Sequence, residues 1–257
     1  MNTKKPAILK RVSSISLLLL FLLLVAMFLG LSTGSTPGGV KQVIESLFGA
    51  REAGSMLDTI VWRIRFPRVL LATLVGAALS LGGLVFQALL RNPLAEPYIL
   101  GISSGSGIGA IVGILMGFSR FPGVGVMAFA GSMGTLFLLL VMSSGQTMLK
   151  KDSLLLSGVM VNAFCGALIM FLISITQDSR LHNIIFWLLG DLSMTDMGQV
   201  GILALTVVPC FVLLFWLSNS MNLLLMGKEM AQTMGVNIKV VTSTLLVVTS
   251  FMVSATT

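Results

Sequence analysis

The first residues suited to chemistry are three arginines in the stretch VWRIRFPRVL, residues 61–70. Arg63, Arg65 and Arg68, the arginine cluster, stand at the edge of an apolar run that begins at Val69. Guanidinium groups bind carboxylates and phosphates through charge-assisted hydrogen bonds. The cluster therefore predicts contact with an acidic partner or with lipid headgroups.

A second polar segment, residues 227–239, separates two long apolar runs and is called the coupling segment below. Glu229, Ala231 and Gly235 are spaced as E-x-A-x3-G. Glycine readily adopts the left-handed conformation that ends helices, so the spacing predicts a short helix capped by Gly235. Such a helix can pass movement of a partner into the membrane as a rigid body. An ordinary capped turn between two spans is the simpler interpretation.

The sequence lacks the groups that most catalytic or ion-driven sites require. An ATP-binding loop needs G-x4-G-K-[ST], but the only Gly-Lys pair, Gly227-Lys228, is followed by Glu229. No charged residue lies within an apolar run, where secondary carriers place theirs. His182 is the only histidine. We predict no catalytic residue, metal or cofactor in this chain.

Composition identifies the elements that must position these residues. Of 257 residues, 56% are hydrophobic and 10% are charged, and the mean hydropathy is +1.02. Soluble proteins carry about 25% charged residues, so the chain is predicted to be an all-α, polytopic membrane protein. The net charge of +7 reflects basic residues at the ends of apolar runs, which favours topology signals over nucleic-acid binding.

About 20 apolar residues are needed to span a bilayer, and the chain offers seven charge-free runs of that order. We predict seven transmembrane helices in one transmembrane domain, residues 1–257, from windows at 12–40, 69–90, 97–119, 121–149, 153–177, 197–227 and 240–257. The first window is too long for a signal peptide and is expected to be retained. Residues 181–193 are too few to span and predict a half-helix or an interfacial turn.

Orientation follows from the distribution of lysine and arginine. A cytoplasmic N-terminal tail, residues 1–11, places nine of these residues inside and seven outside. Without the arginine cluster the ratio becomes nine to four, a normal bias. The arginine cluster and an amphipathic segment at 40–68 are thus predicted outside the membrane, and the coupling segment inside. Because basic residues normally favour the inner side, the arginine cluster needs a role other than setting topology.

Glycines recur every four residues in the third window, at Gly101, Gly105, Gly109, Gly113 and Gly117. On one helix they would form a ridge that another helix can approach closely. Packing within one subunit is the preferred interpretation. A subunit interface or the wall of a transport pathway is the alternative.

Several motifs occur in the order found in a known family. They are RFPRVLLATLVGAALSLGGLVFQ at 65–87, LLRNPLAEPYILGISSGSG at 89–107, LLLSGVMVNAF at 154–164, FWLLGDLS at 186–193 and GKEMAQTMGVN at 227–237. From about Gln42 onward the chain resembles the permeases of ATP-binding-cassette importers for iron–siderophores, haem and vitamin B12. The resemblance implies ten transmembrane helices, a homodimer or paired homologous permease, two ATPase subunits, an external substrate-binding protein and a bacterial inner or plasma membrane.

The resemblance also implies roles for particular residues. Arg65 and Arg68 match R-x-P-R, whose arginines receive glutamates of the binding protein, whereas Arg63 lies outside that pattern. The coupling segment resembles the E-A-A-x3-G loop that docks into the ATPase, with Met230 in place of an alanine.

Ser157, Gly158 and Asn162 are candidate pathway residues, although Asn162 could equally bond a neighbouring helix. The commonest cargo of the family favours an iron(III)–siderophore. The sequence stops at FMVSATT, inside the seventh predicted helix, so we expect a truncated member. A carrier or intramembrane enzyme with functional groups in a missing part is the alternative.

Overall fold

The structure is a computed structural model that describes residues 5–34, 59–118, 122–144, 151–176 and 178–257. These residues form helices and turns, with no strand among them. The α-helices are α1 Lys5–Ser32, α2 Phe66–Leu90, α3 Ile102–Leu115, α4 Gly123–Ser144, α5 Lys151–Ser174, α6 Asp178–Leu189, α7 Met197–Trp216, α8 Ser218–Met226, α9 Lys228–Thr233 and α10 Ile238–Thr256. A π-helical turn, Ile60–Arg65, precedes α2. The predicted all-α class is confirmed.

Six helical segments of the described residues are long and apolar enough to cross a membrane, namely 10–32, 60–90, 123–142, 154–174, 197–216 and 238–256. The third predicted window instead holds α3, which has 14 residues. At 1.5 Å per residue it is about 21 Å long, shorter than a hydrocarbon core of about 30 Å. Left-handed Gly101, with φ +78°, and Gly117, with φ +98°, flank the helix and set its length.

Two other predicted boundaries were wrong. Helical structure before α2 begins at Ile60 instead of near Val69, so the arginine cluster lies within helical backbone. Pro67 is the second residue of α2 and follows the π-helical turn without a break, so its missing N–H removes one backbone hydrogen bond to that turn. The sixth window, residues 197–227, is divided between α7 and α8. Residues 40–58 of the predicted outer segment lie outside the described residues.

The chain forms two compact units, and the first contains residues 1–72 and 192–200. Its buried core joins Leu31, near the end of α1, to Val61 in the π-helical turn, with Trp62, Phe66 and Val69 around them. The Trp62 and Phe66 rings lie 5.0 Å apart. Most of α1 buries no side chain in the structure, as suits a helix surrounded by lipid.

The second unit contains residues 73–191 and 201–257 and is built around α3. This short helix contacts α4, α5, α6 and α10. One buried cluster includes Phe86, Leu139 and Leu246. A second includes Ile111 on α3 and Ile184 on α6, so the predicted half-helix at 181–193 is the amphipathic α6 packed on α3.

Glycines allow α3 and α4 to meet backbone to backbone. A Cβ atom on Gly109 would overlap the carbonyl oxygen of Met127, and one on Gly131 would overlap that of Gly105. A Cβ on Gly113 would lie 3.1 Å from that of Met127. Gly105, Gly109 and Gly113 therefore pack α3 against α4 inside one chain. Gly101 and Gly117 lie outside the helix, so the five do not form the single helical ridge expected from their spacing.

Candidate docking and coupling sites

Arg65 lies in the buried part of the first unit and is only 8% exposed. Its Nη1 donates a hydrogen bond of 2.8 Å to the carbonyl oxygen of Leu31, in the last turn of α1. Carbonyls there lack intrahelical partners, and a cation suits that end of the helix dipole. A Cβ on Gly34 would lie 2.5 Å from Arg65 Nη2, so the chain passes close over the guanidinium.

The other two arginines of the cluster differ from Arg65 in exposure. Arg68 is half-buried, and its Nη2 donates to the carbonyl oxygen of Ser193. Its Nε is buried without a hydrogen-bond partner among the described residues. Arg63 is exposed. Of the two arginines in the R-x-P-R pattern, Arg68 is thus the one with surface available to a partner.

The coupling segment contains the short helix α9, which follows Gly227 directly. Its C-terminal end is closed by hydrogen bonds of 2.9 Å from Gly235 N–H to Gln232 O and from Val236 N–H to Ala231 O. Gly235 is left-handed, with φ +83°. These are the two bonds of a Schellman motif, and they fix the end of α9 as the sequence pattern predicts.

The residues singled out in α9 face different surroundings. Ala231 is fully buried, whereas Glu229 is exposed. Met230 is 54% exposed, and Met234, just beyond the helix, is 65% exposed. Asn237 caps the following helix, accepting a hydrogen bond of 3.2 Å from Val240 N–H. The segment therefore presents a carboxylate and two flexible apolar side chains on or beside a short helix whose C-terminal end is capped.

Sequence analysis missed two arginines that bond distant backbone carbonyls. Arg91 Nη2 donates to Leu224 O, in the last turn of α8, at 2.5 Å. Arg180 Nη1 donates to Leu115 O, the last residue of α3, also at 2.5 Å. Only Arg91 carried a sequence signal, since it stands in the RNPLAEP motif beside the end of an apolar run.

The three pathway candidates occupy different surroundings on α5. Gly158 is buried, and a Cβ there would lie 2.9 Å from the carbonyl oxygen of Ile99. This contact gives Gly158 a packing reason. Ser157 is half-buried, and Asn162 is exposed. Asn162 is therefore the candidate with a polar side chain on the surface of this chain.

The described residues contain no group of three or more histidine, cysteine or acidic side chains that could hold a metal ion. Cys165 and Cys210 are buried free thiols. His182 is exposed, and its ring lies 4.4 Å from that of Phe186. The described residues thus offer exposed polar side chains and packed helices, with no cluster suited to metal chemistry among them.

Comparison with known proteins gives a consistent result. A sequence profile of the FecCD transport family matches residues 22–257. The uncharacterized ABC transporter permease protein YvrB of Bacillus subtilis is 35% identical over 229 residues, covering 84% of this chain. The vitamin B12 import system permease protein BtuC of Salmonella typhi is 34% identical over 198 residues, covering 76% of this chain. The chain spans 64% and 60% of the lengths of these two relatives.

A solved structure shares the fold. It is described as an inward-facing conformation of a proposed metal-chelate type ABC transporter. The two chains superpose with a TM-score of 0.81 at 26% sequence identity, over 95% of this chain and 75% of the other.

Proposed function

The chain belongs to the FecCD transport family, and on that premise we propose that it is the membrane permease of an ATP-driven importer for a metal chelate. The observation that carries the proposal is the family match over residues 22–257 of a chain with six candidate membrane spans. The relatives described above are permeases and not enzymes, in keeping with a transport subunit that leaves ATP hydrolysis to a partner.

The coupling segment is the proposed contact with the ATPase. Its short helix is fixed by the Gly235 cap at one end and by Asn237 just beyond it. Exposed Glu229 and Met230 provide a polar and an apolar contact. Because the helix is held rigidly, displacement by the ATPase would move the helices on either side of it.

The arginine cluster is the proposed contact with a substrate-binding protein outside the membrane. Arg68 supports this role best, because its side chain is half-buried, whereas that of Arg65 is almost fully buried. The Arg65 guanidinium already donates a hydrogen bond to the carbonyl oxygen of Leu31, near the end of α1. We propose that Arg65 supports the surface on which acidic residues of the binding protein meet Arg68.

The substrate is proposed to be a large metal complex. The relative above whose name states a substrate is a vitamin B12 permease, which makes a corrinoid the first candidate. An iron(III)–siderophore is the second, and the metal-chelate type of the structural neighbour is compatible with both. We propose that exposed Asn162 faces the pathway of this substrate in a homodimer or a paired permease.

The test is reconstitution of the full transporter containing this chain, its ATPase and its binding protein in proteoliposomes. Uptake of radiolabelled cyanocobalamin and of radiolabelled ferrichrome is measured with ATP and, as a control, with a proton gradient alone. We expect the ATPase to co-purify and one chelate to accumulate only with ATP. Uptake driven by the gradient without an ATPase would contradict the proposal.

A further inference from the structure

The end of α2 has a backbone geometry that other helices in this chain reach with glycine. Gly117 after α3 and Gly235 after α9 are left-handed residues at helix ends. At the end of α2 the same position is held by Arg91, with φ +48°. The N–H of Asn92 reaches back to Gln87 O at 3.2 Å, which is the long bond of a Schellman motif.

An arginine is a strained choice at that position. Left-handed backbone brings the Cβ close to the following carbonyl, so glycine or asparagine is normally preferred. Arg91 is the only described residue other than glycine with a positive φ. Glycine would satisfy the backbone without strain, so the arginine side chain must supply something that the turn itself does not require.

The Arg91 side chain holds another helix. Its Nη2 donates to Leu224 O at 2.5 Å, across 133 residues of sequence. Leu224 is 6% exposed and lies two residues before the end of α8. A cation at a helix C-terminus is favoured by the free carbonyls and by the helix dipole. We call this hydrogen bond the Arg91 bridge.

The helix held by the Arg91 bridge leads directly into the coupling segment. Gly227 alone separates α8 from α9, and the two helices pack against each other. Both also contact α10. The position of α9 therefore depends on α8, and that of α8 is tied to the end of α2 by one charge-assisted hydrogen bond.

We propose that Arg91 is a positioning residue that ties α8 to the end of α2, so that movement of α9 reaches α2 as one rigid body. The inference rests on the proposed contact of α9 with an ATPase. It adds a second route from that contact into the membrane, besides the direct connection of α9 to α10. Strain at Arg91 is retained because the bridge requires a long cationic side chain at that point.

Three substitutions separate the bridge from the stability of the fold. Arg91→Gly removes the guanidinium and at the same time relaxes the left-handed turn, so the variant is expected to fold. Arg180→Ala is the matched control, because Arg180 makes the same kind of bond, to the last carbonyl of α3, away from the coupling segment. Arg91→Lys retains a cation and is expected to restore part of the effect.

The measurement is a spin-label distance in the complete importer with its ATPase partner. Labels are placed at Leu94→Cys and Met226→Cys, which are 81% and 72% exposed in the unmodified chain, after Cys165 and Cys210 are replaced by alanine. When Arg91 is unmodified, the labels at positions 94 and 226 should give one narrow distance distribution, both with and without ATP. Arg91→Gly should lose that single distance while the complex still assembles and hydrolyses ATP. Arg180→Ala should keep it.

The possible outcomes distinguish this inference from the function on which it rests. An assembled Arg91→Gly complex that retains the narrow distance in both nucleotide states would overturn the bridge alone. Loss of the distance in Arg180→Ala as well would also overturn it, because the effect would then be general loosening. Failure of the ATPase to bind the unmodified chain would overturn the proposed function and the inference together.

Discussion

Arg65 Nη1 and the carbonyl oxygen of Leu31 are joined by a hydrogen bond of 2.8 Å in the interior of the first unit. The guanidinium is almost fully buried, and it closes the last turn of α1 against the π-helical turn before α2. When an arginine donates a hydrogen bond to a buried carbonyl at a helix end, its removal leaves that carbonyl without a hydrogen-bond donor. Arg65 therefore has a structural role that is independent of any partner.

Replacing Arg65 with glutamate should destabilise the chain. The new carboxylate would face the Leu31 carbonyl, and loss of the charged bond alone should cost about 1–3 kcal/mol. We expect a lower melting temperature for the detergent-purified protein. It is measured by heating samples to increasing temperatures and quantifying the remaining folded protein by size-exclusion chromatography. Arg63→Glu is the control, because Arg63 is exposed. Equal melting temperatures for the two variants would show that the buried bond is dispensable.

Arg68→Glu should weaken docking of the binding protein while the permease remains folded. A charge reversal at a partly exposed rim mainly changes the association rate and its salt dependence. In the complete importer we expect roughly a tenfold loss of apparent affinity at low salt, shrinking as salt screens the charges. The measurement is ATPase stimulation against binding-protein concentration. If the apparent affinity were unchanged at every salt concentration, Arg68 would not contribute to docking of the binding protein.

Gly109→Ala should destabilise the contact of α3 with α4. Its Cβ would overlap backbone atoms of Met127, which cannot rotate away as a side chain does. Overpacking of this kind typically costs about 1–3 kcal/mol. Gly134→Ala on α4 is the control, since nothing lies within 4 Å of its added Cβ. Thermal denaturation should give a lower melting temperature for Gly109→Ala than for Gly134→Ala. Similar melting temperatures would mean that α3 and α4 can move apart without loss of stability.

Gly235→Val should weaken ATPase binding, and Gly235→Asn should largely preserve it. Valine in a left-handed conformation is strained by about 1–3 kcal/mol, whereas asparagine tolerates that conformation. We expect roughly a tenfold higher dissociation constant for the valine variant, measured by titrating the purified ATPase onto the permease. If valine and asparagine behaved alike, the rigid end of α9 would be irrelevant to docking.

Much of the fold was predictable because it depends on local composition. Apolar runs gave the class and six of the spans, and Gly235 was recognisable because a short helix needs a left-handed residue at its end. Boundaries were less predictable. The run 97–119 contains only the 14 residues of α3, because Gly101 and Gly117 turn the backbone, and hydropathy does not report backbone conformation.

The contacts of the arginines could not be predicted, for a physical reason. Their partners Leu31, Leu115 and Leu224 contribute backbone carbonyls, which every residue possesses. Side-chain identity therefore gives no indication of which carbonyl is bonded. Motif matching placed Arg65 at a docking surface, and only the structure shows that the side chain is buried. Whether a pathway candidate is buried, as Gly158 is, or exposed, as Asn162 is, depends equally on packing.

The arginine-to-carbonyl bonds also imply an order of events during synthesis. Leu31 is translated 34 residues before Arg65, and Leu115 is translated 65 residues before Arg180, so each arginine meets a carbonyl that already exists. Arg68 and Arg91 must wait until 125 and 133 further residues have been added before Ser193 and Leu224 are synthesised. During that interval both guanidinium groups need water or lipid phosphates as temporary partners. Formation of these two late bonds would then mark the point at which the later half of the inserted chain has packed onto α2.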